Sequence, residues 1–387
     1  MIVASPRVYL DWNATTPPLP EVLDAMRDVA GRVWGNPSSI HADGRAASAV
    51  VESARAAVAL LTGGDARDVL LTSGGTEANN LAVRSAFEPG AARWLFTSRL
   101  EHPSVTRVAE ALEQEGRARV RWIHVLPSGT LDLADLAAAL SEAAGQVALV
   151  TVQAVNHETG IVQPAAEVLA LARAAGARSH VDAVQAWGKV PTEALAQADT
   201  MSLAAHKIRG PKGVGALVAR AGLRLAPLLL GGAQERGLRP GTVDPALAAG
   251  LGVAARRAIA GSVRYAHVSA RRDALESALL DLVPGAGAPR LAGDPRLRAP
   301  HVSTLVWPGW VGAELVAALD LEGLSVSSGA ACSAGTVEPS PVIAAMLGDA
   351  LAGSSVRLSL GDATTDEDVA LAIAAFRRVL SRPGPAA

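Results

Sequence analysis

A single cysteine, Cys332, is all the thiol chemistry this chain has, so an internal disulfide and a multi-cysteine metal site are both excluded. That scarcity also fits a reducing compartment. Aromatic residues make up only 3% of the chain although half of its residues are hydrophobic. The apolar mass is therefore Ala, Val and Leu, as α/β packing with many close helix contacts requires. There is no excess of either charge: the formal net charge is −2, which asks for neither nucleic acid nor an anionic membrane as partner. No apolar run approaches the ~18 residues of a membrane span. The longest, at residues 245–255, is interrupted by glycine and closed by Arg256 and Arg257. Residues 1–10 lack a basic region followed by an apolar core and a small-residue cleavage site, so a cytoplasmic protein is expected. At ~150 residues per domain, 387 residues suggest two domains, or one large domain with an appendage.

What is present is organised around Ala205-His206-Lys207, between an apolar run at residues 199–203 and the turn Arg209-Gly210-Pro211-Lys212-Gly213. A strand ends there and the chain must bend. A lysine at such a point can be held in a pocket, where desolvation eases loss of its proton and Schiff-base formation. Taken alone, Lys207 reads as a surface lysine beside a turn more readily than as a site residue.

Strand-like runs at residues 68–72, 93–98, 120–125, 147–152, 179–181, 199–203 and 213–218 alternate with helical spacing at 81–87, 104–114, 132–143 and 164–175. Helices at 20–33 and 45–61 precede them. The alternation predicts an α/β fold with a mostly parallel central sheet and helices on both faces, and its functional loops lie beyond the carboxyl ends of the strands. Those loops carry His102, Asn156-His157-Glu158, Asp182 with Gln185, and His206-Lys207. Near residue 256 the pattern changes. Residues 13–258 are expected to form the large domain, and 1–12 with 259–387 a smaller α+β domain with a frayed end at 383–387. His41, in the breaker-rich stretch 35–45, reads either as a loop cap or as a site residue.

Ser73-Gly74-Gly75-Thr76 runs into a helix, and its free N–H groups with the Thr76 hydroxyl make an anion cup, most simply for phosphate; an ordinary capped helix would look similar. Asp182 stands at one strand end and Lys207 at a later one. A carboxylate there can keep a pyridine nitrogen protonated, though it could also be a turn cap. Lysine, acid and phosphate cup are together the minimum set for pyridoxal 5'-phosphate.

Further segments complete a pattern. Tyr9-Leu10-Asp11 with Asn13-Ala14-Thr15-Thr16-Pro17, Gly35-Asn36-Pro37-Ser38-Ser39, Glu101-His102-Pro103, Arg239-Pro240-Gly241-Thr242, Ser327-Ser328-Gly329-Ala330-Ala331-Cys332-Ser333 and Ser355-Val356-Arg357-Leu358-Ser359 join those above. Together they resemble the cysteine desulfurases, pyridoxal phosphate enzymes of fold type I in the class V aminotransferase superfamily. The cysteine segment resembles the branch with a long cysteine loop.

The resemblance implies that Lys207 binds the cofactor as a Schiff base, Asp182 pairs with its ring nitrogen, Gln185 faces the ring hydroxyl, and His102 stacks on the ring and moves protons. Gly75, Thr76, His206 and, from a neighbouring subunit, Thr242 would hold the phosphate. Arg357, with Asn13 and His157, would receive the substrate L-cysteine, and Cys332 would take its sulfur as a persulfide for an acceptor protein such as an iron–sulfur scaffold. A homodimer is implied, no metal. Two positions depart from the family pattern: His157 replaces a common asparagine, and Ala204 replaces a phosphate-binding serine. Another superfamily chemistry (selenocysteine lyase, carbon–sulfur lyase or aminotransferase) and a non-catalytic desulfurase-like partner are the alternatives.

Overall fold

A computed structural model describes residues 7–87, 93–143, 145–329 and 339–381. In chain order its strands are β1 (Val8–Tyr9), β2 (Val69–Thr72), β3 (Arg93–Ser98), β4 (Ala118–Ile123), β5 (Val147–Gln153), β6 (Arg178–Asp182), β7 (Thr200–Ala204), β8 (Gly215–Ala219), β9 (Arg290–Leu291), β10 (Val302–Val306), β11 (Leu324–Ser325) and β12 (Ser355–Ser359). Strands β2 to β8 form one seven-stranded sheet in the order β2-β8-β7-β6-β5-β3-β4. Neighbours from β7 to β4 pair in parallel, whereas β8 runs antiparallel to both β7 and β2. The expected mostly parallel sheet is therefore present, with one reversed strand. The reversal follows directly from the turn after Lys207, which returns the chain beside β7 within a few residues. Gly215 permits this close return, because a Cβ there would lie 2.4 Å from the Leu203 carbonyl oxygen.

Strand β5 is buried along its whole length, the pattern of a sheet covered on both faces. Its apolar residues join those of β6, β7 and β8 and of the covering helices in one core, including Val152, Val181, Leu203 and Ala216. A second core gathers Leu275, Leu305, Leu358 and Phe376, and takes Val8 and Leu10 from the start of the chain. In it Trp307 and Phe376 stack with centroids 5.5 Å apart. Its sheet, β12-β10-β9, is antiparallel, and β1 pairs in parallel with β11.

Several boundaries differ from the sequence reading. The helix expected from residue 81 begins at Gly75 and runs to Arg84, so the glycine-rich stretch is its first turn and not a loop before it. Gly74 permits this entry with φ 156, and the Glu77 carboxylate accepts the Ser73 N–H at 2.7 Å. The strand expected at 120–125 spans Ala118–Ile123, where it pairs with all six residues of β3. His41 caps the helix Ala42–Thr62, its Nδ1 accepting the Gly44 N–H at 3.3 Å, and is a loop cap. Residues 383–387 lie outside the described residues. Among the described residues no single helix is long and apolar enough to cross a membrane.

Candidate active site

Five strands of the large sheet deliver their carboxyl ends to one place. After β2 comes the helix start at Gly75 and Thr76; after β3, His102; after β5, His157; β6 ends on Asp182; after β7 come His206 and Lys207. These residues, with Asn13, Gln185 and Arg357, line a single cavity of about 450 Å³. The sites predicted from sequence are therefore brought together, except two. Thr242 is exposed and does not line this cavity. Cys332 lies outside the described residues, whereas Gly329, three positions before it, is on the cavity wall.

Lys207 ends a 3-10 turn, Ala205–Lys207, that closes β7. Its Nζ donates to the Ala14 carbonyl at 2.9 Å and also to that of Asn13. The early polar loop thus presents backbone acceptors to the amine. Asn13 itself is almost wholly buried and fully engaged. Its side-chain amide donates to the His157 carbonyl at 3.1 Å, its Oδ1 faces His301 Nε2 at 2.9 Å, and its carbonyl also accepts Gln185 Nε2 at 2.9 Å. The other end of Gln185 is fixed by the buried Lys189, whose Nζ donates to Oε1 at 2.9 Å.

Asp182 is held rigidly. Oδ1 accepts the Val184 N–H and the Ser202 hydroxyl, each at 3.1 Å, and Oδ2 accepts Asn79 Nδ2 at 2.8 Å. Three donors fix the positions of its two oxygens. Asn79 is oriented in turn by His180 Nε2 on its Oδ1 at 3.1 Å, and it donates to the Ser104 hydroxyl at 2.8 Å. Burial pushes the His180 ring down to about 4, so it is neutral and a hydrogen-bond donor at Nε2. Asp182's charge has a cost nearby. Glu101 is buried close to it, and burial together with that charge raises its carboxyl to about 8.

His102 caps the helix Pro103–Gln114, its Nδ1 accepting the Ser104 N–H at 3.1 Å and facing the Ser104 hydroxyl at 2.8 Å. Nδ1 is thus an acceptor, and the proton of the neutral ring sits on Nε2. Burial lowers its pKa, only partly offset by Asp182. His157 stands against it and is driven further down, by burial first and then by His102, Arg357 and Lys207. His206 is lowered to about 4 by burial and by Lys207, Lys189 and Lys212. The cavity therefore holds three neutral imidazoles at neutral pH.

Arg357, on β12, is buried. Nη1 donates to the His157 carbonyl at 2.9 Å and Nη2 to Asp11 at 2.5 Å, while Nε has no partner among the described residues. His157 Nδ1 is likewise buried without one. Two polar atoms so placed beside a cavity are ready for a bound polar group. At the far wall, a Cβ on Gly75 would meet Val184 Cγ2 at 2.6 Å, so only glycine leaves the helix start open against that side. Among the described residues no cluster of three His, Cys, Asp or Glu side chains could hold a metal ion.

Asn79, Ser104, Ser202, His180 and Lys189 were not found from the sequence. Asn79 falls within the Gly-Gly-Thr-Glu-Ala-Asn-Asn segment, but nothing in the pattern says that its amide faces Asp182, and the others carry no local signal.

Residues 8–371 match the family aminotransferase class-V. A cysteine desulfurase of Cereibacter sphaeroides is 44% identical over 367 residues, covering 94% of this chain and 93% of that protein. The cysteine desulfurase NifS of Azotobacter vinelandii is 40% identical over 370 residues, covering 94% and 90%. Among solved structures, a NifS-like protein superposes with a TM-score of 0.89 at 30% identity, over 97% of this chain and 99% of that one.

Proposed function

We propose, for a chain that belongs to the class V aminotransferase family and within it to the cysteine desulfurases, that the cavity beneath Lys207 removes sulfur from L-cysteine and passes it to Cys332. The observation that carries the reading is the convergence of Lys207, Asp182, the helix start at Gly75 and Thr76, His102 and Arg357 on one cavity. The family implies pyridoxal 5'-phosphate, and the residues present fit it. A glycine-opened helix N-terminus suits its phosphate, a rigidly held carboxylate its ring nitrogen, and an amine between two carbonyls its aldehyde. When bound, the cofactor supplies an electron sink for the substrate's Cα.

The chain's own residues would do the rest. Thr76, His206 and the N–H groups of the helix start would hold the phosphate, Asp182 would face the ring nitrogen and Gln185 the ring hydroxyl. Arg357 would receive the substrate carboxylate through its planar fork, with Nε the unengaged edge. His102, neutral and protonated on Nε2, and Lys207 would move protons at Cα and at the amines. The Cys332 thiol would attack the substrate sulfur. The S–S bond forms as the C–S bond breaks, so L-cysteine plus the thiol gives L-alanine plus a persulfide. An acceptor protein, such as an iron–sulfur scaffold, would then take that sulfur. Thr242, exposed here, would complete the phosphate site of a second copy in a homodimer.

The test is sulfide and alanine release from L-cysteine with a thiol reductant and added pyridoxal phosphate, for the protein and Cys332→Ala in parallel. Equal amounts from the parent and neither from the variant are expected. A yellow parent that binds cysteine but releases no sulfide overturns the reading.

A further inference from the structure

Glu158 is a buried carboxylate that the reaction above does not use. It follows His157 on the loop after β5, and its backbone is fixed at both ends: its N–H donates to Asn156 Oδ1 at 3.0 Å and its carbonyl accepts the Thr304 hydroxyl at 2.8 Å. Its side chain reaches the two flanks of residues 330–338, which carry Cys332. On the far flank, the Ser340 hydroxyl donates to Oε2 at 2.5 Å while accepting the Ile343 N–H at 3.0 Å as cap of the helix Pro341–Leu347. On the near flank stands Gly329 at φ +83, so close that a Cβ there would lie 2.6 Å from the same Oε2. One oxygen atom therefore touches both flanks.

The near flank is also joined to the substrate side of the cavity. Ser327 and Arg357 exchange backbone hydrogen bonds at 3.2 and 2.7 Å, and Glu158 Oε1 lies 3.7 Å from His157 Nε2. Burial raises the Glu158 carboxyl, with Ser340 and Arg357 opposing that rise. A single acceptor bonded to a cap serine and packed on a left-handed glycine has no evident task except to fix where the two flanks stand relative to His157 and Arg357.

We propose that Glu158 is a positioning residue that clamps Gly329 and Ser340 together, and that the approach of the Cys332 thiol to bound substrate depends on this clamp. The proposal rests on the desulfurase reading. It adds that sulfur capture, and not substrate binding, is what Glu158 serves.

Because Cys332 is the only cysteine, its alkylation by iodoacetamide reports the clamp independently of turnover. The experiment compares holoenzyme carrying Glu158→Leu, Glu158→Gln or Ser340→Ala with the parent, measuring the alkylation rate, kcat and KM for L-cysteine, and the absorbance change on adding L-cysteine. In Ser340→Ala and Glu158→Leu the alkylation rate is expected to change at least about threefold and kcat to fall about tenfold, the scale of one lost hydrogen bond. KM and the absorbance response stay within about twofold of the parent, because that bond is not made to substrate. Glu158→Gln keeps an acceptor for Ser340 and stays near the parent, and the double variant Ser340→Ala/Glu158→Leu is no worse than the worse single one, as expected of one shared contact. Unchanged alkylation in both Ser340→Ala and Glu158→Leu overturns the proposal, as does a loss confined to KM. Should Glu158→Leu not fold, Ser340→Ala, which removes one hydroxyl, decides alone. A parent that forms no Cys332 persulfide defeats the desulfurase reading instead, while the alkylation rates still judge the clamp.

Discussion

His102 and His157 meet edge to face across the cavity, their ring centroids 5.3 Å apart and their planes inclined by 72°. Burial lowers both rings; the positive charge of Lys207 also acts on His102, and His102, Arg357 and Lys207 lower His157 further. His157 is thus a neutral hydrogen-bonding group placed where an amide is common in the family.

If the unpartnered Nδ1 of His157 serves a bound polar group, His157→Asn should retain kcat/KM for L-cysteine within about threefold, because an amide can replace the bond. His157→Leu fills similar space without a nitrogen and should lose about tenfold, the worth of one hydrogen bond of ~1.4 kcal/mol. Steady-state kinetics on both variants decide this; equal values for the two would remove His157 from the site's polar contacts.

Ala204 is buried at the end of β7 and lines the cavity beside Gly75. Ala204→Ser should restore a hydroxyl to the phosphate end and tighten cofactor binding by about tenfold, the lower end for a hydrogen bond to a charged group. Equilibrium dialysis against pyridoxal phosphate measures it, and an unchanged dissociation constant would refute the phosphate placement.

Stability should depend on pH in a definite direction. Burial holds His157, His180, His206 and His301 below the ordinary imidazole value, and holds Lys189 below the ordinary lysine value. Below pH ~6.5 the unfolded chain binds protons at these groups that the folded chain does not, so their contribution falls as the pH falls. Glu101, raised to about 8, and Glu158, also raised, work the other way, because each keeps a proton in the folded state that the unfolded chain has released. The five basic groups outnumber them. The melting temperature should therefore rise from pH 5 to 7. Identical melting at pH 5 and 7 would contradict the burial of these rings as neutral species.

Gly361 packs on the face of Trp12, and a Cβ there would come within 2.1 Å of the indole ring. Gly361→Ala should cost on the order of 3 kcal/mol, the upper range for overpacking, because Trp12 is buried and tied through Nε1 to the Tyr9 carbonyl at 3.1 Å. A urea midpoint unchanged from the parent would show that the ring has room to move.

The sheet was legible because alternating apolar runs and helical spacing are local properties. Its one reversed strand was not, since β8 reads like its neighbours and only the short turn after Lys207 makes it run back. Lys207, Asp182, His102 and Arg357 were legible as side chains that carry chemistry in motifs. Their supports were hidden for a physical reason: Asn79 and Ser202 matter through contacts with Asp182, and His180 through Asn79, between residues up to 103 positions apart. Lys189 looks in sequence like any solvated lysine, and only tertiary packing buries it against Gln185. Gly329 was visible as part of the cysteine segment and Glu158 as part of the loop after β5, but not the meeting of that carboxylate with both Gly329 and Ser340.

The engagement of Asn13 by Lys207 and of Asp11 by Arg357 joins residues 194 and 346 positions apart. During synthesis the early loop therefore waits, without its partners, until the strand bearing Arg357 has left the ribosome. A truncated nascent chain could build much of the large sheet yet could not close the cavity. Closing so long a loop adds little to its entropic cost, which grows only with the logarithm of length, but it orders events in time. Completion of the cavity is consequently a late step in the folding of this chain.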